Sequence, residues 1–285
     1  MGEETPAPIN RRNCIARRDG RLLLPLVWRR VHHARVLLLL DIGNTHTHFA
    51  FAQGSRMRHT DTIPTAAWRN GTALREILAR AAMARVTAMA LCSVVPAATR
   101  EALRQSRSKW DIRAFQLTHR TAGIGIDYPV PQTIGPDRLA NAIAARECFG
   151  APSVVVDFGT AVTFDVIDAR GHYTGGIIAP GLAAMTSYLH EKTALLPRIE
   201  IREVKTIVGK STEEAMIIGA VHGYRGLIRE LILKLRRELK CRRLPVVATG
   251  GYAKLMAQRL PEIVAVDPLL TLKGLRLAWE RHQTV

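Results

Sequence analysis

Two stretches of the chain carry one pattern of apolar and polar positions. Leu37 to Leu40 run into Asp41, Ile42-Gly43-Asn44-Thr45 follows, and apolar and polar residues then alternate to Phe51. A buried strand, a tight turn and a second strand are predicted, with Asp, Asn and Thr at the tip. Ser153 to Asp168 repeats the device: an apolar run ends in Asp157, the turn is Phe158-Gly159-Thr160, and a strand is predicted over Val162 to Ile167. After the first hairpin the periodicity predicts a strand over Met57 to Ile63, an amphipathic helix over Thr72 to Ala84, a buried strand over Val86 to Val94, a helix over Ala97 to Ser106 and a short strand over Arg113 to Leu117. Pro136 stands where a helix takes proline in its first turn, with Leu139 to Cys148 continuing that helix. After the second hairpin come a long helix over Thr212 to Leu239, a strand over Pro245 to Ala248, and helices over Ala253 to Arg259 and Leu272 to Glu280.

The hairpin tips suggest phosphate chemistry. Gly43 allows close backbone approach, consecutive N–H groups in such a turn form an anion-binding concavity, and Asn44 and Thr45 add donors. Asp41, at the end of a buried strand, suits a hydrated Mg²⁺ beside phosphates. The same residues also build ordinary turns, so it is the repetition that carries the reading. A third Gly-rich turn, Ala248-Thr249-Gly250-Gly251-Tyr252, completes a pattern that resembles the acetate kinase, sugar kinase, Hsp70 and actin superfamily. That resemblance implies an α/β chain with a duplicated ribonuclease-H-like (actin-like ATPase) fold, two domains around a nucleotide cleft. The first clamp would hold the terminal phosphates, the second would also touch phosphate, and Gly250 and Gly251 would lie against the nucleoside. The expected division is a disordered extension over 1–35, a first domain over 36–150 with phosphate clamp and substrate loop, and a second over 151–285.

Within that superfamily, Asp41-Ile42-Gly43-Asn44-Thr45, Gly135-Pro136-Asp137-Arg138 and Asp157-Phe158-Gly159-Thr160-Ala161, in this order, resemble type III pantothenate kinase. Gly175-Gly176-Ile177-Ile178-Ala179-Pro180-Gly181 and Thr193-Ala194-Leu195-Leu196-Pro197 resemble its later motifs, and the likeness spans Leu37 to Trp279. It implies ATP-dependent phosphorylation of pantothenate to 4'-phosphopantothenate, the first step of coenzyme A biosynthesis. By this resemblance Asp137 accepts the hydroxyl proton, as phosphoryl transfer to an alcohol requires a carboxylate within reach. Tyr128, Gly135, Pro136, Arg138 and Thr193 bind pantothenate, with Arg138 suited to its carboxylate; for Tyr128 a half-buried structural role is equally open. Asp41, Gly43, Asn44, Thr45, His46, Thr47, His48 and Thr160 serve the nucleotide. Asp41 holds Mg²⁺ through water, and Asp157 a monovalent cation, K⁺ or NH₄⁺. The family also implies a homodimer with active sites at the subunit interface. His46 and His48 alternate on one strand face, but no third ligand is spaced to make a metal site with them. Asp165 and Asp168 read as strand-end or turn residues.

Composition changes this picture little. The 285 residues suggest two domains of ordinary size. The formal charge of +17 invites a nucleic-acid reading, yet 33 Arg against 8 Lys are scattered over nearly every segment, and 5% aromatic residues argue against stacking platforms. Arg229, Lys234, Arg236, Arg237 and Lys240 gather near a helix end, where cations favour the dipole and water solvates them. Cys14, Cys92, Cys148 and Cys241 form no C-x-x-C pair, which suggests reduced thiols and a cytoplasmic enzyme. Leu22 to Trp28 is too short to span a membrane. Two rival readings stand beside the kinase: a regulator like the Bvg accessory factor, named as a transcriptional activator, and a kinase of the same fold with another alcohol acceptor. Asp41, Asp137 and Asp157 together favour the enzyme, because a protein that only binds need not keep three carboxylates.

Overall fold

Two five-stranded sheets are wound alike in this computed structural model, which describes residues 36–81 and 86–284. The first holds β1 (Leu37–Ile42), β2 (His46–Gln53), β3 (Arg56–Pro64), β4 (Ala88–Ser93) and β5 (Phe115–Gln116) in the order β3-β2-β1-β4-β5. The second holds β6 (Ser153–Phe158), β7 (Ala161–Ile167), β8 (Tyr173–Pro180), β9 (Val246–Thr249) and β10 (Ala265–Val266) in the order β8-β7-β6-β9-β10. In each, the first three strands pair antiparallel, and the last two join parallel to the first. Identical order and sense in both sheets make this the duplicated ribonuclease-H-like fold. The expected extension over 1–35 lies outside the described residues.

Between the sheets' strands run helices α1 (Ala66–Arg69), α2 (Ala73–Ala81), α3 (Pro96–Trp110), α4 (Pro136–Phe149), α5 (Leu182–Lys192), α6 (Thr212–Ile218), α7 (Tyr224–Glu238), α8 (Ala253–Ala257) and α9 (Leu270–His282). The long helix predicted over Thr212 to Leu239 is broken by one π turn, Gly219–Gly223, between α6 and α7. Glycines at both ends of that turn weaken the regular i→i−4 ladder there. Strand β8 escapes the periodicity because Gly175 and Gly176 interrupt it. A Cβ at Gly176 would lie 1.6 Å from the Phe164 carbonyl oxygen of β7, so only glycine fits.

Alternation along β1 sorts the core. Leu38, Leu40 and Ile42 join Phe49, Phe51, Trp68 and Ile77 in an outer cluster. Leu37 and Leu39 face the other way, into a central core shared with Val155, Ile167, Tyr173 and Val247 of the second sheet. Helices α4 and α9 fill the space between. A Cβ at Gly274 of α9 would stand 1.8 Å from the Ala140 carbonyl oxygen, so the two helices meet backbone to backbone. Ala140, Ala142, Ala144 and Ala145 of α4 are all fully buried, as so close a crossing demands. Helix α4 packs on β6 and β7, while α9, from the end of the chain, packs back on β1 and β4. This exchange brings the N-terminus of α4 to the seam between the sheets.

Candidate active site

The first clamp is held by its neighbours. Thr65 donates its hydroxyl to the Gly43 carbonyl at 2.7 Å and its N–H to the Thr45 carbonyl at 2.9 Å, and Gly43 N–H reaches the His46 carbonyl at 3.0 Å. Asn44, Thr45 and His46 are exposed at the tip. Asp41 pairs with His48 across β2 and with Cys92 across β4, so Asp41, His46 and His48 share one face of the sheet, the face of the central core. Thr47, expected to serve the nucleotide, does not. It is fully buried on the opposite face, its hydroxyl bonded to that of Thr65 at 3.1 Å and accepting from Trp68 Nε1 at 3.0 Å. The period of two along a strand turns it away from the cleft, and it braces the hairpin instead.

The second clamp mirrors the first, with Gly159 N–H on the Ala161 carbonyl at 3.1 Å. The two tips meet: Thr45 Oγ1 and Thr160 Oγ1 lie 3.4 Å apart. The third turn closes on them. Gly250 has φ +87°, and a Cβ there would stand 2.6 Å from Asp157 Oδ1 and 2.7 Å from the Phe158 backbone. Gly251 beside it faces open space.

At the seam, Gly135 caps α4, Pro136 opens it as predicted, and Asp137 follows. Asp137 Oδ1 accepts from the Arg138 N–H at 2.9 Å. Arg138 Nε donates to Asp165 Oδ1 at 2.6 Å and Nη2 to the Phe164 carbonyl at 3.1 Å, with the guanidinium 5.7 Å above the Tyr173 ring. Of the group expected to take a substrate carboxylate, only Nη1 makes no bond within the described residues. Asn141 Nδ2 donates to Asp157 Oδ2 at 3.2 Å and lies 3.4 Å from Asp165 Oδ2, while its Oδ1 accepts from Thr271 of α9 at 2.8 Å. That last bond orients the amide with its donors toward the carboxylates.

Asp165 corrects the sequence reading. It is not a strand-end or turn residue but an interior position of β7, fully buried. A charged residue inside a largely apolar strand was the available hint. Asp168 does sit in a turn, accepting from the N–H groups of Arg170 and His172. Neither Asn141 nor Thr271 was singled out, since each is an ordinary helix residue until α4 meets α9.

Four carboxylates thus share one electrostatic cluster, in which the Arg138 guanidinium pairs with Asp165 alone. Burial pushes Asp41 up to about 8, helped by the charges of Asp137 and Asp157 and opposed by the Cys92 thiol, which donates at 3.4 Å. Asp157 rises to about 6 by burial against the pull of Asn141, and Asp165 to about 7 by burial against that of Arg138. Asp137 is also raised by burial, with Arg138 N–H and guanidinium opposing. Among the described residues neither Asp41 nor Asp157 has a cationic side chain bonded to it. An excess of buried negative charge beside two phosphate-type turns fits a bound cation.

Tyr128 stands close by, its ring 6.3 Å from that of Tyr173 and against Gly175. Thr193 ends α5, exposed, with its hydroxyl on the Leu189 carbonyl at 2.8 Å, and none of its bonds reaches the carboxylates. No helix among the described residues is long and apolar enough to cross a membrane.

Comparison with known proteins gives this geometry relatives. A family model described as type III pantothenate kinase matches residues 37–234. A type III pantothenate kinase of Methylacidiphilum infernorum is 44% identical over 246 residues, covering 86% of this chain and 88% of its own. That of Akkermansia muciniphila is 46% identical over 243 residues, covering 85% and 97%. Among solved structures, a Campylobacter jejuni chain described as a Baf family transcriptional activator superposes with a TM-score of 0.53 at 19% identity, covering 87% of this chain and all of its own. At that identity the likeness speaks for the fold alone.

Proposed function

The chain belongs to the type III pantothenate kinase family, and on that premise we propose how its cleft works. The reaction is phosphoryl transfer from ATP to the hydroxyl of pantothenate, giving 4'-phosphopantothenate and ADP, the opening step of coenzyme A biosynthesis. The reduced thiols read from the sequence suit a cytoplasmic enzyme, which is the location we propose. Gly43, Asn44 and Thr45 cradle the terminal phosphates, with His46 and His48 on the same sheet face as Asp41. Thr160 joins them from the second clamp, and Gly250 and Gly251 lie under the nucleoside. Asp41 would hold Mg²⁺, which when bound would spread the charge of the phosphates. Asp157 would hold a monovalent cation, K⁺ or NH₄⁺.

Asp137 takes the hydroxyl proton. The observation that carries this is its place at the start of α4, within electrostatic reach of both Asp41 and Asp157. Burial raises its affinity for a proton, and a base works best with a pKa near the working pH. Tyr128, Gly135, Pro136 and Nη1 of Arg138 hold the acceptor, Arg138 by pairing with its carboxylate. In a coupled ADP-release assay with pantothenate and potassium, Asp137→Asn should lose activity by ~10²–10⁴-fold while still binding ATP. Turnover within about threefold of the parent overturns the assignment. A panel of other alcohols in the same assay tests the acceptor.

The working unit is a homodimer. Met185, Tyr188 and Leu189 of α5, Ile178 of β8 and Leu195 leave a run of large apolar side chains exposed, Leu195 at 90%. Such a patch is what an isologous interface buries. Thr193 lies within it, so it reaches pantothenate in the partner's cleft.

A further inference from the structure

Away from the cleft, a second concentration of charge surrounds a cavity of about 470 Å³. His222, Arg225 and Arg229 line it from one face of the π turn and α7, stacked at helical spacing. Glu203, Val204 and Lys205 close it from the irregular segment after α5, and Arg259 from the end of α8. Four fixed positive charges and an imidazole thus meet a single carboxylate, with Val204 as the one apolar side chain.

The cavity is built, not left over. Arg225 is 3% exposed and grips Glu203 with two bonds, Nη1 to Oε1 at 3.0 Å and Nη2 to Oε2 at 2.6 Å, while Nη2 also donates to the Leu255 carbonyl at 2.6 Å. Arg229 is held by Glu262 at 3.0 Å and by the Arg259 carbonyl at 2.9 Å. Those bonds fix the walls, and they satisfy Glu203 and Arg229. Among the described residues they leave the side chains of Lys205 and Arg259 without a bonded partner. They also leave, among the described residues, the Arg225 Nε–H donor buried with nothing to bond, and His222 Nε2 buried and unpaired. A buried donor without an acceptor is unfavourable, and an unpaired guanidinium N–H in a basic cavity calls for an anionic oxygen ligand.

We propose that this cavity is a second anion site, outside the catalytic cleft, that binds a small ligand bearing two or more phosphate charges. Lys205 and Arg259 supply its charge, Arg225 Nε and His222 Nε2 its directed hydrogen bonds, and the Glu203–Arg225 pair its rear wall. The charge count favours phosphate over a lone carboxylate, and a cavity of this size takes a ligand of many atoms. The site would be felt at the reaction centre along two routes. Glu203 lies in the same segment as Thr193, and Leu255 lies on the helix that follows Gly250 and Gly251.

The test uses the full chain with its cleft first saturated by ADP and Mg²⁺. Inorganic pyrophosphate is then titrated in, followed by calorimetry and by the His222 ring resonance in an NMR spectrum, assigned with His222→Gln. One further binding event should appear together with a shift of the His222 signal. It should weaken at least about tenfold in Lys205→Ala/Arg259→Ala, whose changed side chains are exposed, and persist in Asp137→Asn. Inorganic phosphate should bind more weakly than pyrophosphate. The proposal is overturned if pyrophosphate gives no event beyond ADP, or if the double variant binds it as well as the parent does. It is equally overturned if Lys205→Ala/Arg259→Ala loses ADP affinity to the same degree, since the cavity would then be the nucleoside end of the cleft. Failure of ADP to bind at all would instead count against the kinase reading, and the pyrophosphate titration of the free protein would still report on the cavity.

Discussion

Removing Asp165 tests the charge arrangement at the seam most directly. Its carboxyl is wholly buried and the Arg138 side chain is 13% exposed, with 2.6 Å between Oδ1 and Nε. Asp165→Ala strands a largely buried guanidinium, a loss that typically costs ~3–5 kcal/mol. Two features pull the cost down. Arg138 keeps its bond to the Phe164 carbonyl and some contact with water, and Asp137 and Asp157 lose a repelling neighbour. The expected loss is therefore ~2–3 kcal/mol in urea unfolding at pH 8, where the carboxylate is ionised. Asp165→Asn keeps the shape and an acceptor for Nε, so ~1–2 kcal/mol is expected. Kinetics should separate the substrates. The KM for pantothenate should rise most in Asp165→Ala, which releases Arg138 from its anchor, and less in Asp165→Asn, which loosens it, while the KM for ATP should hold. A loss below ~0.5 kcal/mol for Asp165→Ala, the level of an ordinary surface change, would show that the pair anchors nothing. An unchanged KM for pantothenate would separate Arg138 from the acceptor.

The raised carboxylates set a pH dependence. Asp41 near 8, Asp165 near 7 and Asp157 near 6 all lie above the ordinary 3.8, so the folded state holds protons that the unfolded state has released. Without ligands, stability should fall as pH rises from 5 to about 8, and saturating Mg²⁺ should flatten that fall; urea midpoints that rise over the interval without Mg²⁺ would contradict it. Gly250→Ala forces a Cβ against Asp157 and Phe158 at φ +87°, so it should cost ~1–3 kcal/mol and raise the KM for ATP, whereas Gly251→Ala should leave the unfolding midpoint nearly unchanged; equal midpoints for the two variants would refute the close contact. Mixing inactive Asp137→Asn chains with inactive Thr193→Ala chains should restore activity if Thr193 serves the partner's cleft, and no recovery after proven subunit exchange would place it in its own.

What the amino-acid sequence determined by itself was local. The two strand–turn–strand clamps, the helix opened by Pro136 and the carboxylates at Asp41 and Asp157 follow from alternation and turn chemistry within a few residues of each other. These properties survive in any context, because backbone preference and the period of the side chains do not depend on distant neighbours. Even the misplacement of Thr47 was a local matter, since a period of two already sets it opposite His46 and His48. Tertiary structure decided everything that joins separate segments. It brings Thr45 to 3.4 Å from Thr160, and Asn141 to both Asp157 and Asp165. It lets Thr271 orient that asparagine from the far end of the chain. No short-range pattern encodes such meetings, because they depend on how two sheets close over α4 and α9. That closure rests on glycine where α9 touches α4 at Ala140, and on glycine where β8 crosses Phe164. Asp165 shows the limit most plainly. Its charge was visible in an apolar strand, but only packing could supply the arginine that allows it to stay there.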